Sequence, residues 1–437
     1  MRGGAFLFAF ALAWCVTSSA FAERWVAAWA TSQQIPESRN ALDPADFHDA
    51  TLRQVIHTTM GGDHVRVHIS NVFGTAALHI SAATIARGTP GAERIDASTL
   101  TTLTFAGQRD VTIPTGAEYI SDPVAFATPA FSDIAISLHY DDAPAQQTSH
   151  PGSRTDSFIG PGDLTSAPDF HAAKSVAHWY QIAALDVLAP DNAAAISVIG
   201  DSITDGRGST TNGNDRWTDQ LAARLQASPH TRQLSVLNHG IGGNRLLNEG
   251  LGPNALSRFD RDVLTEAGVR YVIVLEGIND LGGLPKDATE ADHAALVAHM
   301  IGAYQQMITR AHAHGLKIFG ATILPDMGTP VYTPTTANEA DRQAVNTWIR
   351  AAGHFDAVID FDAVMRDPAH PDQMLPAYDT GDHLHPNPAG YHAMAAAVPL
   401  SLFTNAATDR AGALNRPRHH RSTHGDRHHP GTTPSPN

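Results

Sequence analysis

The spacing of apolar and polar positions changes character part-way along the chain. From Trp25 to about Ala189, short segments alternate between apolar and polar residues and are separated by Gly, Pro and Asp turns. A period of two is typical of strands with one buried face. The pattern predicts a β-sandwich domain over residues 23–190, with clear strands at residues 64–70, 78–85, 110–113 and 133–140.

From Ala193 onward, buried-type strands alternate with helical stretches. After the first of these strands, Trp217, Leu221 and Leu225 recur at helical spacing. Alternating β and α segments predict a parallel sheet with helices on both faces. We therefore expect an α/β domain over residues 191–408, with strands at residues 196–199, 234–237, 271–275, 316–323 and 357–361.

Two predicted helices of this domain have recognisable ends. Asp287, with Glu290 three residues later, is predicted to cap a long helix that Gly315 ends. Asn387 is predicted to cap a second helix, with Pro388 as its first residue.

The two ends of the chain differ from the predicted domains. Residues 1–22 combine Arg2, a short apolar run and the small residues Ala20 and Ala22, a pattern that predicts a signal peptide cleaved after Ala22. The protein is then secreted or periplasmic, and no membrane span is expected after cleavage, because the apolar run is too short to cross a bilayer. Residues 409–437 are rich in Arg, His and Pro without apolar periodicity, which predicts a disordered tail.

Composition narrows the chemistry further. A length of 437 residues favours two domains, and 42% hydrophobic residues fit a folded protein. The only cysteine, Cys15, lies in the predicted signal peptide, so a cleaved chain contains neither disulfides nor thiolate sites. The formal net charge of −15 opposes binding to nucleic acid or anionic lipid and favours a neutral substrate.

A candidate nucleophile follows the first strand of the predicted α/β domain. Ser202 comes after Gly200 and Asp201, at the carboxyl end of that strand, where open α/β sheets place their sites. A serine hydrolase needs such a hydroxyl on a sharp turn, together with a histidine, an orienting carboxylate and donors for the oxyanion. A Gly-Asp-Ser turn taken alone is weak evidence, because such turns often only cap a helix.

The remaining parts of a hydrolase site lie at the same predicted edge. Asp382 precedes His385 by three residues in a loop before a helix, so its carboxylate can reach the imidazole. Gly243 and Asn279 follow the second and third strands of the domain. Glycine lets a backbone N–H approach a substrate, and an asparagine amide is a neutral donor. Each feature alone is also compatible with a turn or a cap.

Taken in order, these segments resemble the four blocks of the SGNH (GDSL-type) hydrolases. The resemblance implies a flavodoxin-like, three-layer α/β/α domain with Ser202 as nucleophile, His385 as base and Asp382 as its partner. It also implies an oxyanion hole formed by the Ser202 and Gly243 N–H groups and the Asn279 side chain, with no metal and no organic cofactor. The matching blocks are Gly200-Asp201-Ser202, Gly243, Gly277-x-Asn279-Asp280 and Asp382-x-x-His385.

Residues 29–32, 70–74 and 150–154 look like an extracellular two-domain branch of that superfamily, typified by acylhydrolases of plant-cell-wall degraders. This resemblance implies that the β-sandwich is jelly-roll-like. It also implies a secreted serine esterase that acts on short acyl esters, acetyl esters above all, of small molecules or of an acetylated polysaccharide such as xylan. Lysophospholipase or arylesterase activity is the alternative within the superfamily. The sequence leaves the oligomeric state open.

Two rival interpretations remain. Asp201, Asp382, His383 and His385 are residue types that also bind metals, so metal-dependent hydrolysis is one. The other is a non-catalytic protein whose β-domain binds polysaccharide while the α/β domain serves as a scaffold.

Overall fold

The structure, a computed structural model, describes residues 23–404. The predicted signal peptide and the predicted tail at residues 409–437 therefore lie outside the described residues. Residues 23–399 belong to one compact unit, and residues 400–404 to a second, in which Leu400–Phe403 form a 3₁₀ turn. Among residues 23–404, none of the helices combines the length and the apolar character that a bilayer crossing requires.

The N-terminal part of the chain folds into strands. Burial alternates with the apolar residues in the strands at Leu78–Ile80 and Val111–Ile113, where only the middle residue is exposed, whereas almost every residue of the strand at Asp133–Tyr140 is buried. The strands are β1 Glu23–Ala30, β2 Ala50–His57, β3 Gly62–Ser70, β4 Leu78–Ile80, β5 Ala82–Thr89, β6 Ala92–Thr102, β7 Val111–Ile113, β8 Glu118–Ile120, β9 Val124–Thr128, β10 Asp133–Tyr140, β11 Ser149–His150, β12 Ser157–Pro161, β13 Lys174–Val176, β14 Trp179–Tyr180 and β15 Ile182–Pro190.

These strands pair in antiparallel sheets. One sheet has the order β1-β15-β3-β8, with β9 also on β3, and a second has the order β13-β12-β2-β10-β5-β6. The predicted strand-rich region is thus present, while its jelly-roll-like topology stays a prediction. The prediction of one strand over residues 78–85 is wrong, because the chain changes sheets at Ser81: β4 pairs with β7 and β5 pairs with β10.

The C-terminal part contains one parallel sheet. Its strands are β16 Ala194–Gly200, β17 Leu234–Gly240, β18 Val269–Leu275, β19 Lys317–Ala321 and β20 Ala357–Ile359, in the order β17-β16-β18-β19-β20. This is the strand order of flavodoxin-like sheets, in which ligands bind beyond the carboxyl ends of the strands. β16 is buried along its whole length, as expected for a central parallel strand covered on both faces.

The helices of this part fall into two groups that pack within themselves. α2 and α7 contact α8, whereas α3 and α6 contact α5. Two groups are expected when helices cover both faces of a sheet. The helices are α1 Ser202–Asp205, α2 Trp217–Ala227, α3 Ala255–Phe259, α4 Ile278–Gly282, α5 Glu290–Ala313, α6 Thr336–Arg350, α7 Phe361–Met365 and α8 Pro388–Ala397, with a π-helical turn at Asp260–Leu264 and 3₁₀ turns at Pro44–Asp46 and Pro376–Tyr378.

One of the two predicted helix caps is confirmed. The Asn387 side chain accepts hydrogen bonds from the first turn of α8, and Pro388 is its first residue. The prediction that Asp287 caps the long helix is wrong. Thr289 caps α5, because its hydroxyl accepts from the Asp292 N–H while the Asp292 carboxylate accepts from the Thr289 N–H at 2.8 Å. This reciprocal pair has the three-residue spacing expected of a capping box, but it begins two residues later than predicted.

The strand-rich region covers the open edge of the parallel sheet. β17 is an edge strand, and its outer side bonds to the N-terminal region: the Val236 backbone N–H donates to Thr59 Oγ1 at 3.0 Å, and the Ser235 side-chain hydroxyl donates to the Ala27 carbonyl at 2.6 Å. The predicted domain boundary near residue 190 lies between β15 and β16. The two regions on either side of it pack within the same compact unit.

Candidate active site

Ser202 is the first residue of α1, immediately beyond the carboxyl end of β16. Asp201 fixes the turn, since its Oδ1 accepts a hydrogen bond from the Ile203 N–H at 2.9 Å. Gly200 is required by space, because a Cβ there would lie 2.4 Å from Thr204 Oγ1 and 2.6 Å from the Leu275 carbonyl oxygen. The Gly-Asp-Ser segment therefore holds the serine hydroxyl at the edge of the sheet where the sequence predicts the site.

A continuous chain of hydrogen bonds links Ser202, His385 and Asp382. Ser202 Oγ lies 2.9 Å from His385 Nε2, and His385 Nδ1 lies 2.7 Å from Asp382 Oδ2. The other carboxylate oxygen accepts the N–H groups of Leu384 at 3.0 Å and His385 at 2.9 Å. With the proton on Nδ1 held by Asp382, Nε2 is free to accept the serine proton.

The environment favours a neutral imidazole beside an ionised carboxylate. Burial lowers the pKa of His385, and the nearby Arg207 and Arg154 lower it further, although Asp382 opposes both effects. Burial also raises the pKa of Asp382, but hydrogen bonds from the His385 ring and backbone outweigh this and lower it to about 2. His385 can therefore act as a base at neutral pH while Asp382 stays charged.

The backbone N–H groups of Ser202 and Gly243 are available as oxyanion donors. Within residues 23–404, neither the Ser202 nor the Gly243 N–H donates a hydrogen bond. Gly243 has a φ of +77°, and a Cβ there would lie 2.3 Å from Leu251 Cδ1, so only glycine fits. Gly243 and Ser202 line the same cavity.

The Asn279 side chain is fixed by two hydrogen bonds. Its Nδ2 donates to the Asn244 carbonyl at 2.7 Å, and its Oδ1 accepts from the Tyr332 hydroxyl at 2.6 Å. Because the amide nitrogen carries two protons, one N–H remains for a ligand. The sequence analysis missed Tyr332, which lies in an irregular loop between β19 and α6 with no motif around it. Its ring packs where Gly282 leaves space for it.

Arg258 lies fully buried beneath these groups and was also missed. Its guanidinium donates to the Gly200 carbonyl at 3.0 Å, to Asn244 Oδ1 at 2.9 Å and to the Ser32 hydroxyl at 2.7 Å. It also pairs with Asp262 at 2.9 Å. Arg258 thus joins the nucleophile turn, the loop that holds Asn279 and the strand-rich region.

Three acidic side chains, Asp201, Glu276 and Asp280, are buried close to one another below the site. Burial raises the pKa of Asp201 to about 7 and the pKa of Asp280 to about 6, and it also raises the pKa of Glu276. Asp280 accepts the N–H groups of Leu246 and Leu247 at 2.8 and 3.1 Å. Asp280, the last residue of the Gly-x-Asn-Asp block, therefore shapes the loop between β17 and α3.

The site opens into a cavity of about 460 Å³. The α/β region supplies one side of it, with Ser202, Gly243, Asn279 and His385. The opposite side comes from the strand-rich region. The residues that the strand-rich region contributes are polar or charged for the most part and include Gln34, Glu37, Arg39, Asn40, Arg154 and His178. The strand-rich region is therefore a wall of the cavity.

The residues of the metal-dependent alternative do not come together as a ligand group. Asp201 caps α1, His383 Nδ1 contacts Asp379 at 2.7 Å, and His385 is held by Asp382. Among the described residues, the one group of three with metal-ligand spacing is on the strand-rich region, formed by Glu93, Asp169 and His171.

Comparison with known proteins agrees with this geometry. Residues 198–393 match the family described as "GDSL-like Lipase/Acylhydrolase family". No curated protein matches the chain.

Similar solved structures include a GDSL-like lipase from Bacteroides thetaiotaomicron VPI-5482, 20% identical with a TM-score of 0.34, covering 50% of this chain and 88% of that one. An acetyl xylan esterase from Geobacillus stearothermophilus is 20% identical with a TM-score of 0.35, covering 47% of this chain and 92% of that one. A G-D-S-L family protein from Desulfitobacterium hafniense DCB-2 is 21% identical with a TM-score of 0.36, covering 47% and 97%. Similarity at this level carries no conclusion about substrate. Residues 198–393 therefore carry a GDSL-like lipase/acylhydrolase domain, and the chemistry of this domain is that of a carboxylic ester hydrolase.

Proposed function

We propose that this protein is a secreted serine esterase that removes short acyl groups, most simply acetyl, from a cell-wall polysaccharide. The observation that carries the proposal is the hydrogen-bonded chain from Ser202 through His385 to Asp382, next to a fixed Asn279 amide. Secretion rests on the predicted signal peptide at residues 1–22. The jelly-roll-like topology of the strand-rich region belongs to the same proposal.

The reaction begins when His385 Nε2 takes the Ser202 proton and Ser202 Oγ attacks the ester carbonyl carbon. The negative charge that forms on the carbonyl oxygen is stabilised by the Ser202 and Gly243 N–H groups and by the free N–H of Asn279. The imidazolium then gives its proton to the leaving alcohol, and water repeats the sequence to release the acid. Asp382 stays ionised throughout and stabilises the imidazolium.

The side chains beside the oxyanion donors favour a short acyl group. Leu251 fills the space against Gly243, and the Tyr332 ring fills the space against Gly282. Both residues line the cavity next to Asn279. Bulky side chains at this position leave little room for a long acyl chain beyond the carbonyl carbon.

A lipid or aryl ester hydrolase is the alternative within the same chemistry. Release of acetate from an acetylated polysaccharide, measured beside release of fatty acid from a lysophospholipid at the same enzyme concentration, separates the two. Faster hydrolysis of the lysophospholipid would contradict the short-acyl proposal. Binding of polysaccharide without turnover of any ester would support a non-catalytic role instead.

Replacing Leu251 tests the acyl specificity. Leu251→Ala should raise kcat/KM for butyryl and hexanoyl aryl esters by about 10-fold relative to the acetyl ester, since the removed methyl groups open a space worth about 1 to 3 kcal/mol of discrimination. Leu247→Ala, in the same loop but outside the cavity lining, is the matched control. An unchanged preference in Leu251→Ala would show that Leu251 does not limit the acyl site.

Replacing Asn279 and its partner tests the oxyanion hole. Asn279→Ala should lower kcat by about 10² to 10³ with a smaller change in KM, because its N–H acts mainly in the transition state. Tyr332→Phe keeps the ring but removes the hydroxyl that orients Asn279, so kcat should fall by about 10-fold. The exposed Tyr119→Phe serves as the control. A rise in KM with unchanged kcat in Tyr332→Phe would assign Tyr332 to substrate binding.

The pH dependence should follow the lowered pKa of His385. Only the neutral imidazole accepts the serine proton, so kcat/KM should rise with pH and reach its midpoint below about 6.5, the ordinary value for histidine. Arg207→Gln removes a positive charge that lowers this pKa, so the midpoint should move to higher pH. The measurement is kcat/KM against pH with an uncharged ester. A midpoint above the ordinary value would mean that a different group controls activity.

A further inference from the structure

The charges that line the cavity differ in sign from the charge of the whole chain. The chain has a formal net charge of −15, yet Arg39, Arg154 and Arg207 all line the cavity. The two carboxylates in the lining are Glu37 and Asp205. A substrate in the cavity therefore meets a local field that the overall charge does not reveal.

Both of these carboxylates are already held by other side chains. Glu37 accepts hydrogen bonds from Gln34 at 3.1 Å and from Asn40 at 2.6 Å. Asp205 is 2% exposed and pairs with His150 at 3.0 Å and with Arg154 at 3.1 Å. Because Arg154 and Asp205 offset each other's charge, the remaining charged groups of the lining are Arg39, Arg207 and Glu37, which leaves an excess of positive charge.

Arg154 is held rigidly in the wall that the strand-rich region supplies. Its backbone has a φ of +52°, an unusual conformation for a residue other than glycine, and such strained residues concentrate at functional sites. The nearby Gly152 packs directly against Asp205, the partner of Arg154, because a Cβ at Gly152 would lie 2.0 Å from Asp205 Oδ2. The Arg154 Nε is buried and has no hydrogen-bond partner within residues 23–404.

Arg39 and Arg207 have guanidinium groups that are free to bind a ligand. Both side chains belong to exposed residues. Among the described residues, neither forms a side-chain hydrogen bond or an ion pair. Arg207 comes from the turn after α1, and Arg39 comes from the strand-rich region, so the two approach the cavity from different parts of the fold.

The arginines lie on the side of the site that receives the alcohol. Arg154 and Arg207 are close enough to His385 to influence its imidazole electrostatically. His385 gives its proton to the leaving alcohol, so that part of the ester must lie beside the imidazole. In the proposed reaction, the carbonyl oxygen of the ester binds to the oxyanion donors of Gly243 and Asn279. Arg154 and Arg207 therefore lie toward the alcohol part of the ester, and Arg39 lines the same cavity.

We infer that Arg39, Arg154 and Arg207 bind an anionic group, a carboxylate or a phosphate, on the alcohol part of the substrate. Guanidinium groups bind both anions through charge-assisted, often bidentate hydrogen bonds. The inference rests on the proposed esterase function. It replaces the neutral substrate expected from the net charge of the chain with one whose alcohol part is anionic. A uronic acid residue of an acidic polysaccharide is the source that fits a short-acyl esterase, and a lipid phosphate is the other source.

The test compares two acetyl esters that differ in the charge of the leaving group. Para-acetoxybenzoate carries a carboxylate on the leaving group, and its methyl ester is neutral. At about pH 8, where His385 is neutral with or without Arg207, Arg207→Gln should lower the ratio of kcat/KM for the anionic ester to kcat/KM for the neutral ester by about 10-fold. Arg39→Gln should act in the same direction. Arg109→Gln, an exposed arginine outside the cavity, is the matched control.

Two further measurements complete the test. Added salt should reduce the rate with the anionic ester more than the rate with the neutral one. Comparing acetylated polygalacturonate with lysophosphatidylglycerol as substrates identifies the source of the anion. Faster turnover of the polygalacturonate indicates a sugar carboxylate, and faster turnover of the lipid indicates a lipid phosphate.

A ratio of the two kcat/KM values that is the same in wild type, Arg207→Gln and Arg39→Gln would overturn the inference while leaving the esterase proposal in place. Failure of the wild type to hydrolyse either ester would overturn both.

Discussion

The buried guanidinium of Arg258 is the interaction on which the site depends most. A buried charge is costly unless it is paired and hydrogen-bonded, and Arg258 meets this condition through contacts that come from three parts of the fold. One goes to the Gly200 carbonyl before the nucleophile, one to Asn244 and one to Ser32 of the strand-rich region. Asn244 in turn accepts the Asn279 amide through its carbonyl. If one of these partners moved away, the buried guanidinium would lose a hydrogen bond at a cost in free energy. The three parts of the fold are therefore held in fixed positions relative to one another.

The same constraint explains why two sequence regions with different patterns form one compact unit. The strand-rich region covers the open edge of the parallel sheet at β17, and it also supplies Ser32 to the buried polar cluster. Asp262, which accepts from both Ser32 and Arg258, has its pKa lowered to about 2; burial opposes this, but Arg261 and Arg258 outweigh it. The wall of the active-site cavity is therefore attached to the catalytic region through buried, charged contacts.

Sequence reasoning found the residues whose roles depend on local spacing. Ser202 follows a strand, Asp382 lies three residues before His385, and Asn387 precedes a helix, so each could be placed from its neighbours alone. Their predicted catalytic roles rest on the family resemblance. Tyr332 and Arg258 could not be found in this way, because Tyr332 reaches Asn279 from 53 residues away and Arg258 reaches Ser32 from 226 residues away.

The errors in the predicted elements have similar causes. Residues 78–85 alternate like one strand, but the pairing partners of β4 and β5 are distant in sequence and belong to different sheets. Asp287 and Glu290 have the spacing of a capping box, and so do Thr289 and Asp292. The spacing therefore does not show which pair caps the helix, and in the structure α5 begins at Glu290, with Thr289 as its cap. The arginines of the cavity wall could not be assigned either, because the sequence shows charge along the chain and not which charges meet in space.

The central claim is that Ser202 is the nucleophile activated by His385 and Asp382. Labelling with a fluorophosphonate, which reacts with an activated serine hydroxyl, followed by mass-spectrometric mapping of the modified peptide, tests it most directly. We expect one label per chain on Ser202, no label in Ser202→Ala, and much slower labelling in His385→Ala, with all three proteins unfolding at the same temperature. Labelling of a different residue, or an unchanged labelling rate in His385→Ala, would contradict the account.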